Sequence, residues 1–154
     1  MDYRKEYEKW LASPALSEDE RTELKALEGN DKEIKARFYG PLEFGTAGLR
    51  GTMYTGLHNM NRHVIRWATQ GFANVIRAEG EEAMKKGVAV CMDCRNHSAE
   101  FARETACVMA ANGIHVRLFE SLRPTPELSF AVREYGCQAG VNVTASHNPK
   151  EYNG

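Results

Sequence analysis

The sequence predicts an α/β protein, with a mixed, largely parallel sheet flanked by helices and preceded by an N-terminal helical arm. The strongest observation is Val88–Met92, a short continuous apolar run that is typical of a strand covered on both faces. Residues 114–118 alternate as a second strand, and residues 139–144 form a third. Helical patterns separate these strands, and such alternation favours parallel pairing through right-handed crossovers.

The helical arm is predicted to span residues 1–39, which are polar and helical in pattern. Ser17 and Glu20 have the spacing of a capping box, so we expect a helix to open there. Asp31 is expected to cap a second short helix that runs to Phe38. The arm carries no chemical motif and is predicted to serve in packing.

Residues 40–154 hold the remaining predicted helices. Asn61 is expected to cap the first of them and Ser98 to open the next. Thr125, with Pro126 at the first helical position, is expected to cap the last. The apolar positions that predict the inward face of the first helix are Ile65, Ala68, Phe72, Val75 and Ile76.

Length and charge narrow the function classes. The chain has 154 residues, which is enough for one domain, and 42% of them are hydrophobic. The 20 Lys and Arg residues nearly balance the 21 Asp and Glu residues, so the basic excess of a nucleic-acid-binding domain is missing. No apolar run approaches the about 20 residues that span a bilayer, and the first ten residues lack a secretion signal. We therefore expect a cytoplasmic protein that binds neither nucleic acid nor membranes.

Two of the four cysteines form a short motif. Cys91 and Cys94 make a C-x-x-C between a predicted strand and a predicted helix, so a redox pair or a zinc site is an alternative function. A zinc site needs two more ligands at short spacing, and Cys107 and Cys137 each stand alone. The simpler interpretation buries Cys91 in the strand and places Cys94 in a loop.

Polar residues collect where the predicted strands end, in the segments Asp93–Ser98, Glu120–Thr125 and Thr144–Pro149. If the strands are parallel, all three segments gather at the edge where open α/β sheets bind ligands. Their Arg, Ser, Thr, His and Asn side chains are donors suited to phosphate oxygens. Helix capping alone explains Ser98 and Thr125.

Two segments carry candidate chemistry. Residues 44–51, FGTAGLRG, have three glycines around Arg50, and the segment is either a plain turn or a flexible turn that presents a guanidinium to phosphate. Ser146 is the candidate nucleophile, which needs a base or a strong electrostatic environment. His147 is not expected to be that base, because adjacent residues of an extended segment point to opposite sides. No G-x-S-x-G motif surrounds Ser146, which argues against an ordinary serine hydrolase.

FGTAGLRG at 44–51 and TASHNPKEYNG at 144–154 together resemble the α-D-phosphohexomutase family. More narrowly, they resemble its bacterial phosphoglucomutase/phosphomannomutase branch. Met92–Arg95 and Arg123–Pro126 match weaker signatures of the family between the two motifs. The resemblance implies that residues 40–154 are a truncated form of the first domain of the family, which carries its phosphoserine.

The resemblance implies that Ser146 is carried as a phosphoserine and donates its phosphoryl group to a hexose monophosphate. A hexose 1,6-bisphosphate then returns its other phosphate to the serine. Ser146, His147 and Arg50 are the implied catalytic residues, and Arg50, Asn148 and Lys150 are the implied phosphate-binding residues. Mg²⁺ would bind an oxygen of the phosphorylated Ser146, and glucose 1,6-bisphosphate would act as activator. Glucose phosphate is the preferred substrate, with mannose or pentose phosphate as alternatives.

The resemblance also implies that parts are missing. Family members supply the other magnesium ligands from an aspartate-rich D-G-D-x-D-R loop in a later domain, whereas the four aspartates of this chain are dispersed. We therefore expect an N-terminal piece without the remaining three domains of the same enzyme, inactive by itself. The alternative from another class is a non-catalytic phosphosugar-binding module. A redox or metal domain and a serine hydrolase are further alternatives.

Overall fold

The computed structural model describes residues 1–45 and 48–154, so Thr46 and Ala47 of the glycine-rich motif lie outside the described residues. The chain divides into two compact units, residues 1–61 with residue 154, and residues 62–153. The predicted domain boundary at residues 39 and 40 stays a prediction. In chain order the described helices and strands are α1 Tyr3–Leu11, α2 Glu18–Lys25, α3 Asp31–Phe38, β1 Gly51–Thr52, α4 Arg62–Ala78, α5 Glu81–Lys86, β2 Val88–Met92, α6 Ser98–Ala111, β3 Val116–Leu118, α7 Thr125–Glu134, β4 Ala139–Val143 and β5 Tyr152–Asn153.

The first unit has an apolar core of its own, to which α1, α2 and α3 contribute. Leu24 and Phe38 are fully buried. The rings of Tyr7 and Trp10 meet the ring of Phe38 edge to face, at centroid distances of 5.6 and 5.8 Å. The Tyr7 hydroxyl donates a hydrogen bond of 3.0 Å to the carbonyl of Leu24. The helical arm is therefore a packed element, as its sequence predicts.

One of the two predicted caps in the arm is confirmed and the other is wrong by one residue. Ser17 and Glu20 form the predicted capping box, with each side chain accepting from the backbone N–H of the other. Helix α3 is capped by Asn30, whose side chain accepts from the N–H of Glu33, and Asp31 is the first helical residue. Asn and Asp cap helices almost equally well, so pattern alone does not choose between neighbours.

The second unit is built on a parallel sheet with the strand order β3-β2-β4. Val88 pairs with Val116 of β3 and with Ala139 of β4, so β2 is central, and all five of its residues are buried. The chain crosses from β2 to β3 and then back to β4, and right-handed crossovers in these opposite directions place α6 and α7 on opposite faces. The predicted α/β fold with a largely parallel sheet is confirmed.

The inward face of α4 differs in part from the predicted one. Ile65 and Ile76 are buried as expected, but Val75 is 56% exposed. Thr69 and Ala73 are buried in its place. Thr69 lies four residues after Ile65, so helical spacing places it on the inward face of α4. It is missed when that face is defined by apolar residues alone.

Two further differences concern helix starts. Thr125, predicted as a cap, is the first helical residue of α7, and Pro124 occupies the N-cap position. The Thr125 hydroxyl instead accepts a hydrogen bond of 2.6 Å from the side-chain amide of Asn142. Helix α5 was not expected, because it is a six-residue, mostly charged segment in which Ala83 is the one buried residue. In the described part of the chain, no helix is long and apolar enough to cross a bilayer.

Gly87, directly before β2, has a backbone conformation and a close backbone contact that only glycine allows. Its φ is +71°, and an added Cβ would collide with the carbonyl oxygen of His115. We expect Gly87→Ala to lower the free energy of unfolding by at least about 2 kcal/mol in urea denaturation. The matched control is Gly71→Ala in α4, where an added Cβ meets open space. That change should stabilise the chain by about 0.5–1 kcal/mol, and equal effects of the two substitutions would contradict the structure.

Candidate active site

The three polar segments gather at the carboxyl edge of the parallel sheet, as expected. Met92 at the end of β2 pairs with Val143 at the end of β4, so Asp93 lies beside Thr144. The Asp93 N–H donates to the Val143 carbonyl at 3.2 Å, which extends the strand pairing by one residue. The N–H of Arg123, from the segment after β3, donates to the Met92 carbonyl at 3.2 Å. Strand register therefore decides which polar residues become neighbours.

The Asp93 carboxylate joins residues from two of these segments. It accepts from the hydroxyl of Thr144 at 2.6 Å, from the hydroxyl of Ser98 at 2.8 Å and from the N–H of Arg95 at 2.9 Å. Burial raises the pKa of this carboxyl, but the three hydrogen bonds and the Arg95 charge outweigh it, so the pKa lies below its ordinary value. Asp93 is therefore an ionised acceptor at the base of the site.

Ser146 stands in a tight turn immediately above this carboxylate network. The Thr144 hydroxyl, which donates to Asp93, also accepts from the Ser146 N–H at 2.9 Å. The Asn148 N–H donates to the carbonyl of Ala145 at 3.0 Å and closes a β-turn. Within this turn Ser146 has a φ of +53°, and its side chain is exposed. The turn presents the hydroxyl outward and ties its backbone to the end of the strand.

The positive φ of Ser146 changes the expected relation to His147. Because the segment is not extended there, the two side chains point to the same side, and Ser146 Oγ lies 3.3 Å from Nδ1 of His147. The expectation that they point to opposite sides was wrong. Among the residues that the structure describes, His147 has no carboxylate partner, so the third member of a hydrolase triad is missing there.

The other predicted site residues fall in two places. Asn148 and Lys150 belong to the same segment as Ser146, with Asn148 half-buried and Lys150 exposed. Arg50, in the glycine-rich motif, is exposed and belongs to the first unit. The structure therefore places the side chains of Ser146 and His147 in contact, and Asn148 and Lys150 follow in the same segment.

Arg95 binds the backbone of the segment that carries Ser146. It was expected among the phosphate donors of the edge, but its guanidinium binds backbone carbonyls instead. Nη2 donates to the carbonyls of Ser146 and Asn148 at 2.7 and 2.6 Å, and Nη1 donates to those of Pro149 and Tyr152 at 3.0 Å each. Spacing in the sequence gives no signal for such contacts, because every residue type has a carbonyl.

Known proteins with similar sequences carry related names. The family model described as phosphoglucomutase/phosphomannomutase, alpha/beta/alpha domain I, matches residues 41–154. The chain belongs to this family. It is 40% identical to a human phosphopentomutase over 133 residues, covering 82% of this chain and 22% of that protein. It is 41% identical to a Staphylococcus saprophyticus phosphoglucomutase over 124 residues, covering 80% of this chain and 22% of the relative.

A solved structure agrees with the sequence comparisons. A chain from Thermus thermophilus that bears a provisional phosphomannomutase name is similar at a TM-score of 0.66 and 32% identity. The similarity covers 74% of this chain and 24% of that one. The present chain thus spans less than a quarter of the length of these relatives, and the match concerns the α/β domain of the family.

The donor set does not by itself fit the magnesium ion that the family resemblance implies. In the described ranges, no group of three or more His, Cys, Asp and Glu residues could hold a metal ion. Ser146 contributes a single oxygen, and both Asp93 oxygens already accept hydrogen bonds. Mg²⁺ prefers several hard oxygen ligands in octahedral geometry.

The cysteines do not support the redox or zinc alternative. All four are free thiols. Cys91 is buried in β2, where its Sγ donates to the Arg123 carbonyl at 3.2 Å, and burial raises the pKa of this thiol. A raised pKa disfavours the thiolate that redox chemistry and metal binding need. Cys94 is exposed in the following loop, as the simpler interpretation predicted.

Replacing Asp93 tests the carboxylate network. Because its folded-state pKa is below the unfolded value, this carboxyl stabilises the fold above the unfolded pKa, and the contribution is lost as the pH falls through the folded pKa. We expect Asp93→Asn to lower the free energy of unfolding by about 1–3 kcal/mol near neutral pH. The difference from the wild type should shrink on acidification, as measured by urea unfolding at a series of pH values.

The matched control for this prediction is Glu120→Gln, at an exposed carboxylate in the segment after β3. As a substitution at the exposed surface, it should change the free energy of unfolding by less than about 0.5 kcal/mol near neutral pH. A cost of Asp93→Asn that stays constant or grows toward low pH would show that the ionised network does not stabilise the site.

Proposed function

We propose that Ser146 carries a phosphoryl group and that the chain is the phosphoserine domain of a sugar-phosphate mutase. The turn at Ser146 is the observation that carries the proposal. Its hydroxyl is exposed, and its backbone is tied through Thr144 to the ionised Asp93. Membership of the family supports the same reaction class.

His147 gives this serine a partner for proton transfer. In one direction the bond from phosphorus to Ser146 Oγ breaks and a bond to a sugar hydroxyl oxygen forms, which yields a bisphosphate. The sugar hydroxyl releases its proton to solvent, and Ser146 Oγ takes one from the imidazolium of His147, whose Nδ1 lies 3.3 Å away. When the other phosphate of the bisphosphate returns to the serine, a bond from phosphorus to Ser146 Oγ forms and the bond from phosphorus to the sugar oxygen breaks. The neutral imidazole accepts the proton of the serine hydroxyl, and the released sugar oxygen takes a proton from solvent.

Charge neutralisation and positioning are the larger part of a phosphoryl transfer. Lys150 is an exposed cation four residues after Ser146, and Arg50 is an exposed cation of the glycine-rich motif. Asn148 offers a side-chain amide in the same turn. We assign these three residues to binding phosphoryl oxygens of the substrate. A phosphoserine oxygen would be one ligand of Mg²⁺, and the others would come from an aspartate loop that this sequence does not contain.

The proposed substrates are glucose 1-phosphate and glucose 6-phosphate, with glucose 1,6-bisphosphate as intermediate and activator. Mannose and pentose phosphates are the alternatives, and relatives named phosphomannomutase and phosphopentomutase keep both open. Sugar recognition is assigned to further domains of the same enzyme, because the chain covers 22% of its phosphoglucomutase relative. The free cysteines fit a cytoplasmic location.

Mass spectrometry of the native protein tests the proposal. Peptide mapping after isolation from its source cells, with phosphatases inhibited, should find a phosphoryl group on Ser146. Ser146→Ala should remove the label and lower mutase turnover by at least about 1000-fold. Ser121→Ala, at an exposed serine of the segment after β3, should retain both. A Ser146 that stays unmodified after incubation with glucose 1,6-bisphosphate and Mg²⁺ would overturn the mutase assignment and favour a phosphosugar-binding module.

Activity assays test whether this chain needs the further domains for turnover and which sugar phosphate the native protein prefers. We expect the 154-residue chain alone to show no turnover of glucose, mannose or ribose 1-phosphate, because it lacks a complete metal-ligand set among its described residues. The native protein should convert glucose 1-phosphate with the highest kcat/KM of the three. Turnover by the isolated chain would contradict the multidomain proposal, and a preference for ribose 1-phosphate would replace the glucose assignment.

A further inference from the structure

Each Nη N–H bond of the Arg95 guanidinium has its own backbone carbonyl acceptor. Its two Nη atoms carry four N–H bonds, and four backbone carbonyls accept from them at 2.6–3.0 Å. The side chain is only 12% exposed, and its Nε lies 3.7 Å from an oxygen of Asp93. No Nη proton of Arg95 is left over for a phosphoryl oxygen.

The acceptors belong to one short stretch of chain, from Ser146 to Tyr152. A single planar group that holds four carbonyls of seven consecutive residues fixes the path of that stretch. Lysine cannot replace it, because an ammonium has three donors on one nitrogen and lacks the rigid fork of a guanidinium. The chemistry of this contact therefore specifies arginine.

Ser146 is held on both sides of its α-carbon. Its N–H donates to the Thr144 hydroxyl at 2.9 Å, and its carbonyl accepts from Arg95 at 2.7 Å. Its φ of +53° is a conformation that residues other than glycine seldom adopt and that persists only where the surroundings determine it. Thr144 and Arg95 bind the backbone of Ser146 on either side, and the hydrogen bond from the Asn148 N–H to the Ala145 carbonyl closes the turn.

We propose that Arg95 is a positioning residue that locks the Ser146 turn in the conformation that presents the serine hydroxyl for phosphoryl transfer. It acts through the backbone and does not touch the phosphoryl group. The role of Arg95 in phosphoryl transfer rests on the function proposed above. Its fixing of the conformation of the Ser146 turn is independent of that function. Loss of Arg95 should free the turn while the sheet beneath it stays folded.

Amide hydrogen exchange of the 154-residue chain tests the lock. In Arg95→Lys, amides of residues 144–152 should exchange at least about tenfold faster, while those of β2 stay unchanged. Arg103→Lys, at an exposed arginine of α6, is the matched control and should leave both regions unchanged. In Arg95→Ala, millimolar guanidinium should restore protection and methylammonium should not. Unchanged exchange in Arg95→Lys, or equal rescue by the two cations, would overturn the proposal.

A measurement on the unmodified chain avoids any failure of a variant to fold. The four Nη protons of Arg95 should give separate, slowly exchanging NMR signals, because each is bound to its own carbonyl. One averaged signal would overturn the lock. This spectrum requires no enzymatic activity, so it stands even if Ser146 proves not to be phosphorylated.

Kinetics of the native protein test the role in transfer. Arg95→Lys should lower kcat by about 10- to 100-fold, because the serine is displaced from the reacting geometry. KM for the sugar phosphate should rise by a smaller factor, because Asn148 and Lys150 lie in the same stretch but are not the only substrate contacts of the native protein. A rise in KM with unchanged kcat would assign Arg95 to substrate binding and overturn the positioning role. Absence of turnover in the wild type would reject the proposed function, and the exchange and NMR results would still decide the lock.

Discussion

The carboxylate of Asp93 is the interaction on which the site depends. It accepts hydrogen bonds from Thr144 at the end of β4 and from Ser98 at the start of α6. Parallel pairing of β2 with β4 places Asp93 beside Thr144, so the sheet itself assembles this contact. A half-buried carboxylate is costly unless it is well hydrogen-bonded, and here the bonds suffice to keep it ionised. The turn that carries Ser146 is thereby anchored to the most buried part of the second unit.

Sequence alone predicted the sheet and the gathering of polar segments at its carboxyl edge, because both follow from strong and local signals. The apolar run Val88–Met92 is short and rich in valine, which favours a buried strand over a helix, and the ends of parallel strands meet at one edge. The sequence-based predictions of the α3 cap and of the direction of the Ser146 side chain were wrong, because each depends on small local differences in energy. Asn30 and Asp31 are both good caps, and the sign of φ at Ser146, which turns its side chain toward His147, leaves no trace in composition.

Arg95 shows a second limit of sequence-based reasoning. An arginine at a strand end, among other polar donors, is expected from the sequence to bind phosphate. Its partners are carbonyl oxygens, which no side-chain pattern reveals, and only the path of the chain from Ser146 to Tyr152 brings them together. The same arginine lies beside Asp93, so its charge is already compensated within the protein. Lys150, by contrast, is an exposed cation of the same segment.

The segment from Thr144 to Pro149 shows how several structural demands are met by one short motif. Ala145 is fully buried, so a larger side chain there would have to displace the core beneath the turn. Glycine would adopt the φ of Ser146 without strain, whereas a serine in this conformation costs about 1–2 kcal/mol. Pro149 has no N–H to satisfy, and its carbonyl is bound by Arg95. The strain at the serine is thus offset by contacts on either side of it, and the same contacts aim its hydroxyl.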